Sequence, residues 1–134
     1  MNEEPKKDYG ILIAKKSEKL VTALYLVTDL VADTEPIKHS LRKNAVALLS
    51  SMNTLSQLEV RDRILELKLS LKSVTEILSL LHVAVTAGLV SQMNGELLIE
   101  GYRSLQLVLE KKHPLFSRDM LLVEDEEELD SVSV

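Results

Sequence analysis

Val60, Ile64, Leu67, Leu71, Val74, Leu78, Leu81 and Val85 are spaced alternately four and three residues apart, and this run constrains the chain more than any other feature. It amounts to four heptads of a and d positions, a period that fits an α-helix and no strand. Further apolar residues at Leu58, Leu65, Leu69, Ile77, Leu80 and Ala84 widen the stripe beyond a two-stranded seam, so this helix must touch several neighbours. Ser56-Gln57-Leu58-Glu59 reads as a capping box ahead of it. Gly88 reads as its C′ stop, because glycine enters the left-handed region without strain. From Gln57 to Ala87 the predicted helix is roughly 46 Å long at 1.5 Å per residue.

Three more helices follow from the same reasoning. Asp8 is a candidate N-cap for a first helix to about Val31, with Leu20, Leu24, Val27 and Val31 facing inward and Ala23 and Leu30 beside them. Asp33-Thr34-Glu35-Pro36 is a break, and Pro36 suits the first turn of a second helix running to about Met52. The apolar seam of that helix is Ile37, Leu41, Ala45, Leu48, Met52 and Leu55. Ser91 caps a fourth helix, about Gln92 to Lys112, with Leu98, Tyr102, Leu105, Val108 and Leu109 inward; Lys111, Lys112 and His113 favour its C-terminus and Pro114 ends it. The expected fold is all-α, an antiparallel up-down four-helix bundle over 8–113. A flexible N-terminus (1–7), a docking segment (114–123) and a disordered acidic tail (124–134) flank it.

Composition narrows the function. Aromatics are 3% of the 134 residues and cysteine is absent, which excludes a disulfide scaffold, a thiolate metal site and a cysteine nucleophile. Net charge is −5, but six acids crowd into 124–130; setting them aside leaves 15 acidic against 16 basic residues, so the acidity belongs to the tail. No signal sequence is visible, and the long uncharged run from Ile77 to Gly95 carries too many polar residues for a bilayer, so a cytoplasmic chain is expected.

Catalytic chemistry finds no foothold: there is no Gly-x-Ser-x-Gly, no glycine-rich phosphate loop and no His beside a Ser on a recognisable turn. Glu110-x-x-His113 is the single copy of a pair that di-iron bundles need twice, so neither metal nor cofactor is expected. His82 adjoins the core seam and is expected to be half-buried and hydrogen-bonded. The candidate binding residues are basic: Lys15, Lys16 and Lys19 on the first helix, Lys38, Arg42 and Lys43 on the second. One reading makes them solvated helix faces. The other brings the two clusters together as a phosphate patch that reads backbone rather than base. Tyr25, Leu26, Leu12, Leu49 and Leu69 lie off the principal seams and are expected to be covered in a homo-oligomer.

Three stretches carry a family resemblance: Lys19 to Leu30, then Leu41-Arg42-Lys43-Asn44-Ala45-Val46 after an acidic break with Pro36, and Leu71 to Val90. Over about residues 10–112 the chain resembles the bacterial four-helix-bundle family that includes the 23S rRNA intervening-sequence proteins and the accessory variability determinant of diversity-generating retroelements. The resemblance implies a ring, a pentamer in the accessory branch, whose basic surface binds RNA or DNA and a reverse transcriptase, with Arg42 and Lys43 as nucleic-acid contacts. It implies an accessory scaffold without a small-molecule substrate. The alternative is a protein-interaction or regulatory bundle that binds no nucleic acid. The acidic tail fits either nucleic-acid mimicry or a solubilising end.

Overall fold

The computed structural model describes residues 4–112, with side chains from Gly10 onward. It is all-α, with four helices, α1 Glu4–Val27, α2 Pro36–Thr54, α3 Val60–Thr86 and α4 Gln92–Lys112, and a short 3-10 turn at Leu55–Gln57. The helices close a cycle: α1 packs on α2 and α4, and α3 packs on α2 and α4. Leu24, Leu41, Ala45, Leu48, Val74, Ile77, Leu81, Tyr102, Leu105 and Leu109 fill the core at 0–1% exposure. A smaller cluster of Val31, Ala84 and Val90 closes the end formed by the α1–α2 and α3–α4 connections.

The seams expected of α2 and α4 lie inward. Leu41, Ala45, Leu48, Met52 and Leu55 are buried on one side, Leu98, Tyr102, Leu105 and Leu109 on the other. Pro36 opens α2, and the Glu35 side chain accepts from the Ile37 N–H at 3.1 Å, satisfying a donor that the first turn leaves unpaired. Ser91 caps α4 as expected, its hydroxyl accepting from the Asn94 N–H at 3.1 Å.

The exit from α3 is a Schellman motif, built on Gly88 at φ +79°. The Leu89 N–H reaches the Ala84 carbonyl at 2.8 Å, and the Gly88 N–H reaches that of Val85 at 3.0 Å. By length and apolar character α3 is, among the described residues, the one helix able to cross a bilayer. Here it buries Leu67, Val74, Ile77, Leu78 and Leu81 within the protein.

Three local expectations are corrected. The backbone of α1 is helical from Glu4, so Asp8 lies inside the helix rather than at its N-cap position. α1 also stops at Val27, and Leu30, expected beside the stripe, is 96% exposed in the turn that follows. Ser56-Gln57-Leu58-Glu59 forms no capping box: Leu55–Gln57 continues α2 as a 3-10 turn closed by Leu58 N–H to Leu55 carbonyl at 3.3 Å. Leu58 is extended, Glu59 is the N-cap of α3, and no side chain caps it. Buried Leu55 explains the shift, because placing it in the core carries α2 one turn beyond the sequence break. The acidic tail, the segment 114–123 and residues 1–3 lie outside the described residues, while residues 4–7, expected in a flexible N-terminus, have helical backbone within α1.

Candidate functional site

Two basic residues of α2, Lys38 and Arg42, meet the C-terminal end of α1 and the turn after it, where the last carbonyls of a helix lack intrahelical partners and carry the negative end of its dipole. Thr28 satisfies the Leu24 carbonyl twice, through its N–H at 3.0 Å and its hydroxyl at 2.8 Å. Arg42 Nη2 donates to the Tyr25 carbonyl at 3.2 Å, and its Nε donates to Thr28 Oγ1 at 3.0 Å. The guanidinium lies over the Tyr25 ring, 4.2 Å from the centroid, a cation–π stack. Farther along, Lys38 Nζ donates to the Val31 carbonyl and to Asp33 Oδ1, both at 2.7 Å.

Lys38 is buried, with a side chain 5% exposed against 88% for Asp33, so this ion pair has its cation inside and its anion in water. Lys38 holds the Asp33 carboxyl below its ordinary pKa, first by its hydrogen bond and then by its charge, with His39 and Arg42 adding smaller pulls in the same direction. His39 Nε2 meets the Asp33 backbone oxygen. This cluster therefore ties the α1–α2 turn to the start of α2.

The six candidate residues fall into three environments. Lys38 and Arg42 are engaged in the turn just described. Lys15, Lys19 and Lys43 are exposed and make no ion pair with a described residue; Lys16 is half-buried. Arg42 touches Tyr25, whereas Lys19 and Lys15 precede Tyr25 on α1 by about two to three turns, roughly 9–15 Å at 1.5 Å per residue. The cations thus spread along α1 and α2 rather than converge on one phosphate.

Sequence reasoning missed the structural use of Lys38, though a signal was present. Lys38, Leu41, Ala45, Leu48 and Met52 have core spacing and all are buried; a lysine on such a stripe needs a partner, because an unpaired buried ammonium is costly. Asp33, in the break just ahead, supplies it.

A groove of about 550 Å³ lies between α3 and α4, with Ile99 in its lining and His82, Glu96, Glu100 and Arg103 around it. His82 is exposed here, which corrects the half-buried expectation: it follows Leu81 by one residue and so turns about 100° off the inward stripe. No group of three or more His, Cys, Asp or Glu able to hold a metal occurs among the described residues, and His113 lies outside them. Of the off-seam apolar residues, Leu12, Tyr25, Leu26 and Leu69 are exposed and Leu49 is half-buried. No family model, curated protein or solved structure matches the chain.

Proposed function

We propose that this chain is a non-catalytic interaction module of the cytoplasm, an antiparallel up-down four-helix protomer that associates with further copies of itself and presents the assembly to a protein partner. The observation that carries this reading is the outer face of α1 and its exit turn, where Ile11, Leu12, Leu26 and Leu30 are 55%, 60%, 73% and 96% exposed. Scattered apolar residues on a surface need no explanation; here the large ones stand in two exposed pairs, Ile11 and Leu12 early in α1 and Leu26 and Leu30 at its end and in its exit turn, and a contact there would bury them. Short connections between successive helices, and a cycle in which each helix packs on its chain neighbours, support the up-down arrangement. The resemblance to ring-forming bacterial bundles, pentameric in the accessory branch, agrees with self-association.

A second reading, an accessory scaffold that also holds nucleic acid beside a reverse transcriptase, is favoured by the exposed Lys15, Lys19 and Lys43. It ranks lower because Lys38 and Arg42 are already engaged within the protein.

Light scattering after size exclusion tests the first reading. The full chain should run at a multiple of its 15.0 kDa mass, and Leu26→Glu with Leu30→Glu should return it to one protomer with helicity unchanged. A wild-type chain that stays at 15.0 kDa at high micromolar concentration overturns self-association.

A further inference from the structure

At the end of the bundle opposite the Lys38 turn lies a second cavity, about 360 Å³, between α1, the 3-10 turn, α3 and the last residue of α4. Its lining is apolar on four sides, Ile13, Met52, Leu55 and Leu67, all at 9% exposure or less. Gly10 and Ser56 stand together at its edge, with 3.7 Å between the Ser56 Cβ and the place a Cβ on Gly10 would take. Arg63 is its cationic wall, and the buried Arg63 Nε has no hydrogen-bond partner. A buried donor of a charged group left unpaired is among the more costly states a folded protein holds, and an incoming acceptor would relieve it.

Lys112, where the described chain ends, is itself part of the lining. The sequence beyond it reads His113-Pro114-Leu115-Phe116-Ser117-Arg118-Asp119, then Met120 to Val123, then the acidic run. Proline at 114 cannot continue a helix, and the two large apolar residues that follow lie within four residues of the rim, at most about 14 Å of extended chain. Asp119 is the first carboxylate after them.

We propose that the segment 115–123 of the same chain docks in this cavity, with Leu115 and Phe116 on its apolar lining and Asp119 facing Arg63. Three features converge on this occupant: an apolar cavity, a half-buried arginine in its wall whose buried Nε lacks a partner, and a described chain that ends at its rim and continues in sequence with apolar residues followed by acids. Tethering adds to them, because a short linker gives the segment an effective concentration in the millimolar range, ahead of any free amphiphile or second copy. This inference is independent of self-association and stands or falls separately.

Because the chain has no cysteine, an introduced pair reports without background. Ser56→Cys at the cavity edge and Ser117→Cys beside Phe116 are joined with a bismaleimide in dilute full-length protein, and the product is read by intact mass. Intrachain cross-linking should run on the order of tenfold faster than in the same pair carrying Leu115→Asp and Phe116→Asp, in which tethering is kept and docking is lost. Arg63→Glu in the parent pair should slow it as well. Circular dichroism of each variant checks that the bundle itself is intact. Equal rates with and without the aspartates would overturn the proposal, as would a product at twice the protomer mass, which would give the cavity to a second copy.

Discussion

Lys38 shows how one buried charge organises a turn. Its ammonium is the partner of the Val31 carbonyl, and no apolar replacement can serve that oxygen. Lys38→Met keeps the stem on the core stripe and removes only the head, so the loss is that of a charged hydrogen bond, about 1.5–3 kcal/mol. Thermal unfolding should show a drop of roughly 4–8 °C for each kcal/mol lost in a domain of about this size. An unchanged melting temperature would mean that water serves Val31 equally well. The companion carboxylate adds a pH dependence whose sign is fixed. Lys38 lowers the Asp33 pKa in the folded chain. The stabilisation it brings is therefore present above the ordinary carboxylate value near 3.9, and is lost as pH falls through the lower folded value. Asp33→Asn should flatten the acid limb of stability against pH below about 4 and leave its neutral limb in the same shape. The carboxylate stands in water, so the effect is small. Of this cluster the sequence discloses Lys38 on a core stripe and Asp33 ahead of it. The Arg42 stack on Tyr25 needs two helices brought together, and no spacing within either announces it.

At the scale of the element, three glycines separate what a sequence specifies from what packing specifies. Gly88 is legible in advance, because a helix stop before a new N-cap calls for a left-handed residue, and its φ is +79°. Gly95 and Gly101 sit inside α4, where glycine is normally unfavourable by up to about 1 kcal/mol against alanine. Their reason lies across the interface: a Cβ on Gly95 would overlap Val85 Cγ2, and one on Gly101 would overlap Leu20 Cδ2. Val85 is β-branched and held to one rotamer in α3, whereas the Leu20 methyl ends a longer side chain that can turn aside. Gly95→Ala should therefore destabilise by about 1–3 kcal/mol less the helical gain, and Gly101→Ala should be near neutral. Gly88→Ala should cost about 1–2 kcal/mol. Urea midpoints at constant m value check the order, and a stabilised Gly95→Ala would show that α3 and α4 have room to part. The failed capping box belongs to this scale too. Its four letters have the correct spacing, but the core claims Leu55, and α2 carries Ser56 into a 3-10 turn before any N-cap can form.

For the whole molecule, the heptad stripe of α3 and the seams of α2 and α4 specify an all-helical chain, while the surface is specified far less. A core position is constrained by a repeating period; a charge on an outer face is constrained only by whatever it meets. The six cations that looked alike along the chain have unlike roles for this reason, and the difference changes how nucleic-acid binding has to be tested. Arg42→Glu would remove the cap on Tyr25 and Thr28, so any lost binding would be confounded with a damaged turn. Lys15→Glu, Lys19→Glu and Lys43→Glu change exposed side chains without described ion pairs, and so alter charge while leaving the fold alone. If those three lysines are the whole phosphate-binding capacity of a protomer, a single-stranded RNA titration should show a log–log salt slope no steeper than about −2 per protomer, since each neutralised phosphate contributes about −0.7. Binding through so few contacts should be lost near physiological salt and abolished by the triple variant. A slope several times steeper, with affinity surviving at that salt, would mean that copies of the protomer pool their lysines on one strand. That result would move the scaffold reading ahead of the protein-interaction reading, with a closed assembly as the source of the multivalency.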